Sequence, residues 1–138
     1  MTTAGTVLVV EDNPEFLDVV RTILREPALG FAVAGAATGT AALEFLEGRP
    51  PFAGAPRPAF VVLDFRLPDM NAPAVLRRMA ASETLQPLPV LVLSQAHWDA
   101  DRAAALAAGA TAFRVKPSRV QQLREILVEF RTLHVEPV

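Results

Sequence analysis

Five side chains of the types that suit phosphoryl chemistry each follow a short apolar run: Glu11, Asp12, Asp64, Ser94 and Lys116. Crowded carboxylates raise one another's pKa values, so three of them together favour a bound cation. Mg²⁺ prefers oxygen ligands, and the pattern suits Asp12 and Asp64 as direct ligands with Glu11 acting through water. Asp64 would then be a nucleophile toward phosphorus, while Mg²⁺, Lys116 and Ser94 could each neutralise one phosphoryl oxygen.

Each of these residues alone also has a structural interpretation. Glu11 and Asp12 could cap a helix, and Asp64 could be an ordinary turn residue. Ser94 is common at a strand end, and Lys116 could be a solvated charge. Their conjunction favours chemistry, because these five residues fall at the carboxyl ends of four predicted strands, where open parallel sheets bind ligands.

The elements that must position these residues follow from the hydrophobic pattern. Short apolar runs alternate with segments of helical character, which indicates βα repeats around a parallel sheet buried on both faces. The second and fifth runs are the least hydrophobic, so we expect them at the sheet edges. The predicted strands span residues 6–10, 31–35, 60–63, 90–93 and 112–115.

Capping signals mark the predicted helices. In the first helix Asp12 can act as the cap, Pro14 suits the first helical position, and Glu15 completes a capping box. Ser118 and Gln121 form a capping pair at the start of the fifth. The remaining helices are predicted at about 38–47, 73–81 and 99–108.

Composition predicts one domain, residues 1–138, with a core at about 5–131, because 138 residues with 51% hydrophobic content suffice for one core. Residues 48–58, with four prolines and two glycines, are predicted to form a surface loop. The absence of cysteine excludes disulfides and thiolate metal sites. A net charge of -2 without a basic block argues against direct nucleic-acid binding. With no signal peptide and no apolar run of membrane length, we expect a cytoplasmic protein without membrane contact.

Four segments resemble the receiver domains of two-component response regulators. Residues 7–13 are similar to the family's opening strand and acidic pair, and residues 62–70 to its phosphoacceptor segment. Residues 89–94 resemble its Ser/Thr strand, and residues 109–117 its closing Lys-Pro motif. The resemblance spans nearly the whole chain and implies a flavodoxin-like, doubly wound α/β fold with five helices and a five-stranded parallel sheet in the order 2-1-3-4-5.

The resemblance also implies a phosphorelay function. A sensor histidine kinase or a histidine phosphotransfer protein would donate a phosphoryl group to Asp64. The domain would be no enzyme beyond catalysing its own phosphorylation and dephosphorylation. Mg²⁺ would be held by Glu11, Asp12, Asp64 and the backbone carbonyl of Arg66, while the phosphoryl oxygens would be bound by other side chains, namely Ser94 and Lys116.

A conformational switch is implied as well. Movement of Ser94 toward the phosphate would let Phe113 turn inward and alter the face formed by the fourth helix, fifth strand and fifth helix. That face would signal to a downstream protein, and the resemblance allows a phosphorylation-linked homodimer. The peptide bond between Lys116 and Pro117 is expected to be cis.

Some residues depart from the family pattern. Ala72 replaces a usual glycine, which predicts an altered backbone in that loop. Gln95 could narrow the approach to the acceptor, and Arg66 could pair with phosphate or shield it from water. For His97 and Trp98, surface packing is the preferred interpretation, and an anchor for a partner is the alternative.

Two rival functions use similar residues or a similar fold. A phosphatase of the haloacid dehalogenase type needs a second aspartate two residues after the nucleophile, and Arg66 stands at that position. A receiver-like interaction module that is never phosphorylated remains an alternative. If the chain is the whole gene product, we expect output by protein contact or phosphorelay; in a longer protein, a further domain would decide the response.

Overall fold

The computed structural model describes residues 4–85, 87–96 and 98–135. Its centre is a five-stranded parallel sheet with the strands β1 (Thr6–Val10), β2 (Ala32–Ala36), β3 (Phe60–Asp64), β4 (Val90–Ser94) and β5 (Ala112–Val115). The strand order β2-β1-β3-β4-β5 confirms the predicted doubly wound sheet and its two edge strands. The helices are α1 (Pro14–Leu24), α2 (Gly39–Glu47), α3 (Ala72–Ala80), α4 (Asp99–Ala107) and α5 (Val120–His134), with a short 3₁₀ turn at Glu83–Leu85.

The sheet is covered on both faces, which explains why its strands are continuously apolar and not alternating. Leu8 and Val61 pack on the side of α2, α3 and α4, while Val7 and Phe60 pack on the side of α1 and α5. Successive residues of one strand therefore enter different cores. None of the helices in the described part of the chain has the length and apolar character needed to cross a membrane.

Two predicted helix starts were wrong. Asn13, not Asp12, caps α1, and its side chain accepts hydrogen bonds from the N–H groups of Glu15 and Phe16. The reason is that Pro14 takes the first helical position, and the residue before a proline is held in extended backbone, as an N-cap requires. Asp12 is thereby left exposed beside the strand end.

At α5 the predicted capping pair of Ser118 and Gln121 does not form. Arg119 is the N-cap residue, with extended backbone and no side-chain capping bond. Ser118 therefore lies one residue before the cap, and Gln121 instead accepts a hydrogen bond from Arg124. The sequence signal was misplaced because the chain stays extended for one residue more than the capping pattern indicated.

Ala72 does not distort the loop before α3. It is the first residue of that helix, it is fully buried, and no described residue other than glycine has a positive φ. Its N–H donates to the carbonyl of Phe65 at 2.8 Å. The altered backbone predicted for this position was wrong, because the helix begins here and requires only ordinary helical dihedrals.

The two faces of α5 predict a sharp contrast in stability. Replacing the fully buried Leu127 with Ala should lower the free energy of unfolding by about 2–5 kcal/mol, because a cavity remains next to the sheet. Leu133, on the same helix, is 64% exposed, so Leu133→Ala should change it by no more than about 0.5 kcal/mol. Urea unfolding of both variants measures the difference, and equal losses would contradict the assigned packing of α5.

Candidate functional site

The parallel register brings four strand ends to one edge of the sheet. Asp64 pairs with Leu93, and Ser94 pairs with Val115, so the strands β3 and β4 extend one residue further than predicted. The acceptor candidate and the hydroxyl are therefore the last residues of their strands. Backbone pairing continues past β5, where the N–H of Lys116 donates to the carbonyl of Ser94 at 2.7 Å.

Three carboxylates meet at this edge. Glu11, Asp12 and Asp64 each offer an oxygen within 4.8 Å of the others. Glu11 and Asp64 are only 3% and 7% exposed, whereas Asp12 is exposed. Hard oxygen donors at this spacing are the ligand type that Mg²⁺ takes in proteins, so the donor chemistry fits the expected ion.

Lys116 places a positive charge among these acids. Its Nζ lies 2.7 Å from Glu11 Oε1 and 3.4 Å from Asp64 Oδ1. Nζ also lies 4.5 Å from the centre of the Phe16 ring. Only 10% of the Lys116 side chain is exposed, so its contacts are little screened by solvent.

Burial raises the pKa of Asp64 to about 6, and the negative charge of Glu11 adds to this effect. Lys116 opposes both by favouring the ionised carboxylate. Asp64 thus lies in surroundings that hold too little positive charge to balance two buried carboxylates. This imbalance is the electrostatic reason why a cation would bind at the site.

The acidic cluster borders a solvent-open cavity of about 310 Å³. Gln95 lines it with an exposed side chain, so the residue lies at the rim. The cavity is lined by Glu11, Asp12, Asn13, Asp64, Arg66, Ser94, Gln95, Ala96 and Lys116. The structure therefore brings together the residues singled out at the strand ends, and Phe113 is the predicted site residue that lies apart.

Phe113 is buried, and its ring packs edge-on against Phe65 at 6.3 Å between ring centres. The inward position, which the resemblance assigned to the switched state, is thus the one seen here. Ser94 is buried as well, and its hydroxyl accepts a hydrogen bond from the N–H of Ala96 at 3.2 Å. Ser94 and Phe113 are therefore both in buried positions in this structure.

The side chain of Arg66 reaches α4. Its guanidinium lies 3.2 Å from the Asp101 carboxylate and 5.3 Å from the centre of the Phe65 ring. The backbone at Arg66 faces Asn71 in an antiparallel bridge. The two hydrogen bonds that flank this bridge, Ala72 N–H to Phe65 and Leu67 N–H to Met70, do not use the Arg66 carbonyl.

Asp69 is an anchor that the sequence interpretation missed. Its carboxylate accepts hydrogen bonds from the N–H groups of Gly39 and Thr40 and from the Thr40 hydroxyl, at 2.7–2.9 Å. These bonds lower the pKa of Asp69, the Thr40 hydroxyl contributing most. The loop after Asp64 is thereby held at the N-terminus of α2. The sequence analysis gave Asp69 no role of its own, because its partners lie 29 and 30 residues away.

The peptide bond between Lys116 and Pro117 is trans, so the predicted cis bond was wrong. Pro50–Pro51 is the cis bond in the described residues. The trans form is the lower-energy isomer of an X–Pro bond, so a cis bond requires specific support from its surroundings.

Trp98 is 64% exposed, while its neighbour His97 lies outside the described residues.

Comparisons with known proteins agree with this architecture. A family model for the response regulator receiver domain matches residues 7–128. The chain is 34% identical over 125 residues to the alkaline phosphatase synthesis transcriptional regulatory protein SphR of Synechococcus elongatus, which covers 87% of this chain and 46% of SphR. The chain therefore spans about half the length of that relative.

Two solved structures are similar over most of their length. The phosphorylated cyanobacterial phytochrome response regulator RcpA has a TM-score of 0.84 and 25% identity, covering 91% of this chain and 90% of RcpA. The receiver domain of the sensor histidine kinase PA1611 from Pseudomonas aeruginosa, with magnesium coordinated in its active-site cleft, has a TM-score of 0.73 and 29% identity, covering 91% and 95%.

The raised pKa of Asp64 predicts that its removal stabilises the metal-free fold. Because the folded protein holds this proton more tightly than the unfolded chain, the contribution of Asp64 to stability falls as the pH rises from about 4 to 6. Asp64→Asn should therefore raise the free energy of unfolding by roughly 2–3 kcal/mol at pH 8 and by little below pH 4.

Urea unfolding without divalent cations, measured from pH 4 to 8, checks this expectation. Asp18→Asn, at an exposed acid of α1, is the matched control and should show no such pH-dependent gain. A less stable Asn variant at pH 8 would mean that Lys116 more than offsets the cost of burying the carboxylate.

Proposed function

Because this chain belongs to the response regulator receiver domains of two-component systems, we propose that it accepts a phosphoryl group on Asp64 from a phosphorylated histidine. The donor is a sensor histidine kinase or a histidine phosphotransfer protein. The observation that carries the proposal is the buried Asp64 carboxylate facing the Lys116 ammonium at 3.4 Å within an open acidic cavity. The chain acts as a single receiver unit over residues 1–138.

In the proposed transfer, a carboxylate oxygen of Asp64 attacks the phosphorus of the phosphohistidine. The phosphorus–oxygen bond forms as the phosphorus–nitrogen bond breaks, and the imidazole leaves with the electron pair. Lys116 and the Ser94 hydroxyl bind the phosphoryl oxygens and offset their negative charge. Hydrolysis of the acyl phosphate later restores Asp64, so the domain catalyses only its own phosphorylation and dephosphorylation.

Magnesium is the proposed cofactor. Glu11, Asp12, Asp64 and the Arg66 carbonyl would hold the ion, and the PA1611 receiver, which has magnesium in its cleft, supports the assignment. When bound, the ion neutralises charge on the acceptor and on the phosphoryl oxygens. The raised pKa of Asp64 supports the need for this added positive charge.

The proposed output is a change on the face formed by α4, β5 and α5, read by a downstream protein. Ser94 would move toward the phosphoryl group. Arg102 of α4 reaches the carbonyl of Phe113 at 3.4 Å, so movement near Phe113 has a direct contact to that helix. Phosphorylation-linked pairing of two chains belongs to the same proposal, as does a cytoplasmic location.

Intact-mass spectrometry tests the transfer itself. After incubation with a small phosphodonor and Mg²⁺, the protein should gain the mass of one phosphoryl group. Asp64→Asn should abolish the adduct because it removes the nucleophilic oxygen, and a chelator should reduce it strongly.

Asp18→Asn is the control, since its exposed side chain lies outside the cavity and should leave the adduct intact. No adduct on the wild-type protein, with either a small phosphodonor or a phosphorylated histidine protein, would favour the interaction module that is never phosphorylated.

Magnesium binding should be visible as added stability. At a free Mg²⁺ concentration ten times the Kd, the free energy of unfolding should rise by about 1.4 kcal/mol. Asp12→Asn should shift this response to higher Mg²⁺ concentrations because one carboxylate ligand is lost, and Asp18→Asn should not. Thermal unfolding across a Mg²⁺ titration measures this response. If the Asp12 variant responds as the wild-type protein does, Asp12 is not a ligand of the ion.

A further inference from the structure

Phe16 places its aromatic ring beside the one lysine of the chain. The Lys116 Nζ lies 4.5 Å from the ring centre, within the range of a cation–π contact. Phe16 belongs to α1, whereas Lys116 follows β5, so the contact joins the first and last parts of the fold. Neither the acid–lysine pattern nor the proposed transfer assigns a role to this ring.

The contact between Phe16 and Lys116 is one of a series of linked interactions around Glu11. Glu11 Oε1 accepts from Lys116 at 2.7 Å, and Glu11 Oε2 accepts from the N–H of Asn13 at 3.1 Å. The Asn13 side chain in turn accepts from the N–H of Phe16 at 3.3 Å, which fixes the first turn of α1. Hydrogen bonds thus determine where the Phe16 backbone lies relative to the lysine.

An aromatic ring suits this position because of how an ammonium makes its contacts. Lys116 has three donor hydrogens, and two carboxylates, Glu11 and Asp64, already lie within 3.4 Å of it. A third carboxylate would compete for the ammonium with an incoming phosphoryl group. The ring face attracts the positive charge electrostatically and leaves the net charge of the ammonium available.

We infer that Phe16 is a positioning residue for the reaction: its ring holds the Lys116 ammonium beside Asp64 so that it meets the phosphoryl oxygens. The effect of Phe16 on the reaction rests on the proposed function, but its contact with Lys116 does not. A flexible four-carbon stem would otherwise let the ammonium follow Glu11 or turn toward the exposed Asp12. The ring limits these alternatives before the donor arrives.

A purely structural role is the competing explanation, because Phe16 also packs against the core beneath α1 and α5. The two roles can be distinguished by changing the charge distribution of the Phe16 ring while its shape stays the same. Replacing Phe16 site-specifically with phenylalanines carrying one to three ring fluorines keeps its size and apolar character but weakens the negative ring face. Packing is nearly unaffected by this series, whereas a cation–π contact weakens stepwise.

The experiment follows Lys116 and the reaction in the same proteins. Selective isotopic labelling of lysine gives one set of side-chain NMR signals, because the chain has one lysine. In the wild-type protein the ε protons should be shifted upfield by the Phe16 ring, and Phe16→Leu should remove this shift while Phe16→Trp keeps it. Phosphorylation by a small phosphodonor with Mg²⁺ should slow about three- to tenfold in Phe16→Leu and stepwise across the fluorinated series.

Phe52→Leu is the matched control, because Phe52 packs on Phe45 away from the site, and it should alter neither the lysine signal nor the rate. A wild-type lysine signal without the ring shift would overturn the inference even if the protein were never phosphorylated. A normal rate across the fluorinated series, in a protein that is phosphorylated on Asp64, would overturn it while leaving the proposed function intact.

Discussion

The partly buried charge of Lys116 is the feature on which the carboxyl edge of the sheet depends. Glu11 and Asp64 are both removed from water, and two carboxylates at this distance oppose each other's ionisation. The single ammonium reduces that repulsion but does not remove it, as the raised pKa of Asp64 indicates. Glu11 and Asp64 therefore still repel each other, and a further cation or the protonation of one carboxylate would reduce this repulsion.

An otherwise apolar scaffold keeps these two carboxylates close together. The strands that end at the site are buried on both faces, and the loops that follow them are fastened individually: Asn13 caps α1, and Asp69 binds the N-terminus of α2. Rigid strand ends and tied loops keep like charges together that would separate on a flexible surface. The apolar core thus offsets the cost of burying a cluster of charges.

Hydrophobic periodicity predicted the parallel sheet, and the spacing of the motifs predicted that the strand-end residues converge. The strand order came from the family resemblance. The sequence did not predict local geometry that depends on neighbours in space. Asn13 replaced Asp12 as a cap because Pro14 decides where the helix begins. The bond before Pro117 is trans, and the roles of Asp69 and Phe16 depend on contacts with Thr40 and Lys116 that are distant in sequence.

The proline-rich loop at residues 48–58 has a different consequence. It runs from the end of α2 to the start of β3, and so lies at the amino edge of the sheet, while Asp64 ends that strand at the carboxyl edge. The entropy of closing such a loop grows only slowly with its length. Evolution can therefore lengthen, shorten or decorate this segment with little effect on the acidic cavity, which makes it a natural point for grafting a tag, a peptide epitope or an inserted domain.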